Sequence, residues 1–478
     1  MANLRHEQDD TPTAHSFPGR RGPVMAVPAI SVSPYWELTF DADGDVDGPE
    51  RDRLLTEVSR RGVRDLLLFA HGWNDDRSGA TLLYDRFFAP VPSLAPAAQL
   101  GYAGVIWPSM MFADEPIPDF PPSLAAGAPA SPRLDDSSRQ ALLRVFPDRA
   151  TVLDRIARLL ERQPDDGASL EEFGRLVREL VEVPVRGPQA RCTEDTRVPG
   201  AAATGPEMLR GETARVCRDF AGALEQVAGR GTEEFSLTPK GLWDGARELL
   251  RQATYYAMKR RAGAVGERGL GPVLGRLAQA APGVRVHLVG HSFGARLVSF
   301  ALRGLPDGVR TVKSVTLLQG AFSHYAFAAR LPRDPGAGGV LAGRQRRVDG
   351  PLVCCHSRFD SALGTLYPLA SRVVGDDRSV AGELPGRAED VGVGLLLGPR
   401  WGALGHDGVQ AVDGTREVTL ADALSAGLPA SGCVNVDASA VVRRGGPPAG
   451  AHSDILHREL AQLVLTAGRV DRPAAAGG

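Results

Sequence analysis

The stretch Val284–Leu305, VRVHLVGHSFGARLVSFALRGL, constrains this chain most, because its apolar pattern changes abruptly from one that suits a strand to one that suits a helix. Val284, Val286, Leu288 and Val289 form the nearly continuous apolar run of a fully buried strand, while Leu297, Val298, Ala301, Leu302 and Leu305 recur at helical spacing. Between them Gly290-His291-Ser292-Phe293-Gly294 leaves room only for a tight turn. Such a turn holds the Ser292 hydroxyl above the carboxyl end of a sheet, and the glycine two places to either side lets neighbouring backbone close in. The following helix aims its N–H groups and the positive end of its dipole at the same spot. Ser292 is therefore expected to be a nucleophile. In a chain with 56 glycines the five-residue pattern alone carries little weight, and an ordinary strand-to-helix turn is the alternative. The strand before it and the helix after it favour the nucleophile.

Bulk properties narrow the class. A length of 478 residues suits one large domain with insertions or two domains. A formal net charge of −2 gives no electrostatic footprint for nucleic acid. Only Lys240, Lys259 and Lys313 among the 55 basic residues are lysines, a bias read as compositional. Cys192, Cys217, Cys354, Cys355 and Cys433 are odd in number and lack C-x-x-C spacing, so buried thiols in a reducing compartment are expected rather than a disulfide framework. The first residues lack the apolar core of a signal peptide, and no run approaches a membrane span. A cytoplasmic protein is the expectation.

In chain order, 1–30 reads as a loose tail and Trp36–Phe40 alternates like an edge strand. The acidic DADGDVDG that follows lacks the spacing and terminal glutamate of an EF-hand and reads as a solvated connection. Val63–Phe69 is a buried strand ending in Ala70-His71-Gly72-Trp73-Asn74, followed by a helix near Ala80–Phe88 and a strand Ala103–Trp107. From 110 to 243 the pattern changes to Pro-rich turns and helices at Ala150–Arg162 and Leu170–Leu180, which reads as a helical insertion or cap. Gly241–Ala262 and Leu270–Ala280 are helices leading into the Ser292 strand. Val312–Leu318 is a further β-rich segment, Pro351–Asp360 holds an apolar strand followed by a short polar loop, Cys433–Asp437 is a last short strand, and Ser453–Ala467 is a last helix.

The strand–turn–helix around Gly290–Gly294, taken with His71-Gly72 at the end of an earlier strand, resembles the α/β-hydrolase superfamily, in particular its lipase, esterase and thioesterase-like members. The resemblance covers about 60–110 and 245–470. It implies an α/β fold with a mostly parallel sheet flanked by helices, formed by 31–109 and 244–470, with 110–243 inserted and 471–478 as a tail. In many relatives the cap is inserted later in the chain, so the present placement departs from the common pattern. The resemblance further implies an oxyanion hole from the backbone amides of Trp73 and Phe293, with His71, Gly72 and His291 in support. His71 as a satisfied structural histidine, with Gly72 merely permitting a turn, is the alternative.

A serine hydroxyl needs a histidine as general base and a carboxylate that fixes the imidazole tautomer. The superfamily order Ser, acid, His implies Asp360, at the end of the polar loop that closes Pro351–Asp360, and His452, on the loop entering the last helix. An Asx turn or helix cap is the other use of Asp360. His406, in Gly405-His406-Asp407-Gly408, is the rival base. His356 lies too close to the acid, and His457 is expected to project from the body of the helix. The set His452-x-Asp454-x-x-His457 does not match helical zinc spacing, so neither metal nor cofactor is expected.

These readings imply a serine hydrolase acting on a small-molecule or lipid ester or thioester. Two alternatives stay open: a non-catalytic hydrolase-fold scaffold binding through 110–243, and an amidase or acyltransferase on the same three residues.

Overall fold

The structure is a computed structural model, which describes residues 30–72, 77–109, 134–181, 192–200, 207–227, 238–332, 334–360, 362–363, 402–446 and 450–470. The strands are β1 (Tyr35–Thr39), β2 (Asp65–Ala70), β3 (Leu100–Ile106), the two-residue β4 (Thr196–Arg197), β5 (Arg285–His291), β6 (Val312–Leu318), the two-residue β7 (Gly338–Gly339), β8 (Pro351–His356), β9 (Arg416–Thr419) and β10 (Gly432–Asp437). Eight of them form one sheet in the order β1-β3-β2-β5-β6-β8-β10-β9. Every pairing in it is parallel. The α/β class expected from the sequence is present. β4 and β7 form a separate antiparallel pair.

Burial on both faces explains why inner strands such as β2 and β8 read as apolar runs. Along β2, Leu66 and Leu68 belong to one core and Leu67 and Phe69 to the other, following the period-2 alternation of a strand. The first core continues into helices Ala150–Arg162 and Gly167–Val181 through Leu153, Ile156, Phe173 and Val177 and into helix Pro239–Ala264 through Trp243, Leu249 and Leu250. The second contains Tyr84 and Phe88 of helix Arg77–Phe88 and Leu460 and Leu463 of helix Arg458–Gly468.

The strand order has a functional consequence. The chain runs from β2 outward to β3, then crosses back to place β5 on the other side of β2 and continues outward through β6, β8 and β10. The direction of winding therefore reverses between β2 and β5, and in open parallel sheets the crevice at the carboxyl ends beside such a reversal is where ligands bind. His71-Gly72 follows β2, and Ser292 follows β5.

Several elements differ from the sequence reading. The acidic connection is a tight turn in which Asp41 Oδ1 accepts from the amides of Asp43 and Asp45, each at 2.9 Å. It ends at Asp47, which caps an unexpected helix, Gly48–Arg60, by accepting from Glu50 N at 2.9 Å. The two helices expected before β5 are joined by a π-helical turn, Val265–Leu270. Glycines explain the tight fit there: a Cβ on Gly266 would lie 2.9 Å from Phe300 Cβ, and one on Gly271 2.6 Å from the Gly304 carbonyl carbon. Among the described residues of 110–243, helices Asp136–Val145 and Thr213–Val227 accompany the expected pair, which run Ala150–Arg162 and Gly167–Val181.

Candidate active site

Ser292 sits between β5 and helix Phe293–Gly304 with φ 55° and ψ −118°, a backbone conformation that non-glycine residues rarely adopt. Its backbone is pinned on both sides: Ser292 N donates to Leu318 O at 3.1 Å, and Ser292 O accepts from Ala295 N at 3.1 Å and Ala321 N at 3.2 Å. Strain of this kind costs roughly 1–3 kcal/mol and persists only where the surroundings hold it. The glycines do as the sequence requires. A Cβ on Gly290 would lie 2.6 Å from Ala295 Cα, and one on Gly294 2.6 Å from the Ala70 carbonyl carbon. Gly72 faces the same turn from β2, where a Cβ would lie 2.9 Å from Ser292 Cβ and 3.1 Å from His291 Nδ1.

Three distant side chains meet at this turn. Ser292 Oγ and His452 Nε2 are 2.9 Å apart, and His452 Nδ1 and Asp360 Oδ2 are 2.8 Å apart. A carboxylate only accepts, so Nδ1 carries the proton and Nε2 presents its lone pair to the Ser292 hydroxyl. Asp360 is fully buried, Ser292 is 4% exposed, and the His452 side chain keeps 15%. Asp360 also serves locally, since Oδ1 accepts from Leu363 N at 3.0 Å. The local backbone contact and the partnership with histidine coexist on its two oxygens. The Asp360 turn and the His452 loop are tied together by Ala451 N donating to Phe359 O at 2.9 Å.

The His452 loop departs from the sequence reading. The last helix begins at Arg458 rather than Ser453, and His457 occupies its N-cap position instead of its body. Asp454 gives the reason. Its Oδ2 accepts from the amides of Arg443 and Arg444 at 2.9 and 2.8 Å, and its Oδ1 meets His457 Nε2 at 2.8 Å. With its carboxylate engaged across the loop, 452–457 is held as a turn that presents His452 to Ser292.

The remaining expected residues divide clearly. His71 is held in place: its Nδ1 donates to Gly72 O at 3.0 Å, its Nε2 accepts from Trp107 N at 3.4 Å, and its ring stacks on Trp107 with centroids 5.5 Å apart. Phe293 opens the helix after Ser292, its ring buried against Tyr255 with centroids 4.6 Å apart. Trp73 lies outside the described residues. His406 lies in the short helix Leu404–Asp407, 4.0 Å from Asp407 Oδ1, and the imidazole at Ser292 is that of His452.

His291 Nε2 lies 2.9 Å from His452 O. Burial, reinforced by the neighbouring rings of His452 and His71, pushes its pKa down to about 3, against the opposing pull of the carbonyl hydrogen bond. It is neutral at ordinary pH.

Two polar networks carry no signal in the sequence. Asp65, His287 and Ser314 form a second Asp–His–Ser set, with His287 Nε2 2.8 Å from Asp65 Oδ1 and Nδ1 2.9 Å from Ser314 Oγ. A register shift after Val286 places Ser314 opposite His287, and all three are buried in strands. Ser314 has neither the turn nor the helix end that Ser292 has, so this set pins strand register and has no reacting edge. The other network joins the segment around Asp195 to the helix after Ser292. Asp195 forms an ion pair with Arg296, meets Lys259 Nζ at 2.8 Å, and accepts from Ser323 N at 3.0 Å, with all three charged groups buried.

Among the described residues no group of three or more His, Cys, Asp or Glu side chains could hold a metal ion, and no helix is long and apolar enough to cross a membrane. The five cysteines are free and buried, and burial pushes the thiols of Cys192, Cys217, Cys355 and Cys433 up to about 12. No protein-family model, curated protein or solved structure matches the chain.

Proposed function

We propose that this chain is a serine hydrolase of the α/β-hydrolase type that cleaves an ester or thioester through an acyl-enzyme. The observation that carries the proposal is the hydrogen-bonded chain from Ser292 Oγ through His452 to buried Asp360, beside a strained turn at the start of a helix. A buried Ser–His–Asp contact alone would not suffice, as Ser314, His287 and Asp65 demonstrate. The difference lies in where the hydroxyl sits. Ser292 stands at the carboxyl edge where the sheet reverses its winding.

In the proposed cycle His452 Nε2 takes the Ser292 proton as Oγ attacks the carbonyl carbon, and the carbonyl electron pair moves onto oxygen. The Phe293 amide, at the positive end of its helix, is one donor to that oxyanion, and the Trp73 amide is proposed as the other. Collapse expels the alcohol or thiol, which takes the proton from His452. Water then attacks the acyl-enzyme with the same base, Ser292 regains its proton, and the acid leaves. Throughout, Asp360 holds the His452 tautomer and offsets the charge of the imidazolium. An amide substrate or an acceptor other than water would use the same first half-reaction.

A fluorophosphonate probe tests the reading. Wild type is expected to be labelled once per chain and Ser292→Ala not at all. Absence of labelling in wild type, or equal labelling of Ser292→Ala, would leave a non-catalytic binding protein as the better account.

A further inference from the structure

The geometry points to His291 as a positioning residue for the general base: its Nε2–H, donated to the His452 carbonyl oxygen, holds the base loop at the distance from which His452 reaches Ser292. The inference rests on the hydrolase reading and assigns work to a side chain that takes no part in the proton transfers.

The argument begins with the constraint on His452. Its ring is fixed at Nδ1 by Asp360 and faces Ser292 at Nε2, but its backbone belongs to the loop after β10, not to a regular element. Asp454 closes that loop on Arg443, Arg444 and His457 without touching the Ser292 turn. His291 supplies the link to the turn itself. It is the last residue of β5 and the immediate neighbour of Ser292, so the nucleophile and the donor to the base loop move together.

The chemistry of the contact fixes the tautomer. A carbonyl oxygen only accepts, so His291 Nε2 carries the proton and Nδ1 is bare. The Nδ1 edge faces Gly72, where a Cβ would lie 3.1 Å away. One ring thus spans the site, from the β2 turn on one edge to the base loop on the other. Neutrality matters for the same reason. The His291 and His452 rings are 5.2 Å apart, and a charged His291 would oppose the imidazolium that forms on His452 during each proton transfer. The titratable groups acting on His291 are His452 and His71, and its burial keeps it uncharged beside both.

The test compares His291→Met, which keeps the bulk and removes the donor, with His291→Gln, whose amide can donate to the same carbonyl. Met is expected to lower kcat and the fluorophosphonate labelling rate by about 10- to 100-fold with KM unchanged, the scale of a misplacement of under 1 Å. Gln is expected to restore most of that loss. Two results overturn the proposal: a folded Met variant that labels at the wild-type rate, or a folded Gln variant no better than Met. Should Met fail to fold, nitrogen-15 histidine spectra of wild type decide, since the proposal requires neutral His291 with its proton on Nε2 between pH 5 and 8. A proton on Nδ1 refutes it. Failure of the parent reading is recognised separately, as a wild-type chain that no fluorophosphonate labels.

Discussion

Gly72→Ala probes the account without replacing any residue that handles a proton. The new methyl would lie 2.9 Å from Ser292 Cβ, 3.1 Å from His291 Nδ1 and 3.3 Å from His291 O, where ordinary contact begins at 3.4 Å. Relief at Ser292 alone therefore needs about 0.5 Å of movement. Ser292 cannot move alone, because its N–H and C=O are bonded to Leu318, Ala295 and Ala321. The displacement is shared between the nucleophile and His291, and through His291 it reaches the base loop. At about 10²-fold per ångström of misplacement, kcat should fall by about 10- to 100-fold, or about 1.4–2.7 kcal/mol, with a stability cost of about 1–3 kcal/mol. Steady-state kinetics on a p-nitrophenyl ester and a thermal melt measure both. Gly283→Ala, where nothing lies within 4 Å of the new methyl, is the control and should change neither. A folded Gly72→Ala variant with unchanged kcat would refute the claim that this glycine sets the position of Ser292.

Three further outcomes are expected. Asp360→Asn should keep the fold and lower kcat by about 10⁴-fold, because an amide NH₂ facing Nδ1 favours the wrong tautomer; a loss below tenfold would show that the buried acid does not act through His452. Asp195→Ala should destabilise the protein by about 3–5 kcal/mol in denaturant titration, since it leaves Arg296 and Lys259 buried without their shared carboxylate; a change under 1 kcal/mol would contradict that reading. His291 has a folded pKa depressed to about 3, against about 6.5 when unfolded. The unfolded chain therefore binds more protons between those values, so the stabilisation is fully present above pH 6.5 and declines by about 1.4 kcal/mol per unit as pH falls towards 3. His291→Gln should remove that share of the pH dependence, and an identical slope in wild type and variant would show that the histidine is not held neutral.

What the sequence made legible follows from the range over which each signal acts. The segment Val312–Leu318 is expected and found as a strand at the same residues, because a buried parallel strand is a local apolar run with sharp ends. Ser292, Asp360 and His452 are each flagged by a local setting, strand–turn–helix or strand–polar loop, and the fold brings them together. The start of the last helix is misread by five residues because Ser453 and Asp454 are good capping residues by composition. Only tertiary structure shows Asp454 bonded to Arg443 and Arg444 instead. Nor does any local pattern reveal that Asp195, far upstream, holds Arg296 one turn beyond Ser292, or that a register shift sets Ser314 against His287. Both depend on pairings between segments that periodicity reads one at a time.

The most direct measurement of the central claim is rapid mixing with a p-nitrophenyl ester, followed by acid quench and peptide mass mapping. The account predicts a burst of about one p-nitrophenolate per chain and an acyl mass increment on the peptide carrying Ser292, both abolished in Ser292→Ala. Turnover with no burst and no acylated peptide, or an increment on any other residue, would contradict it.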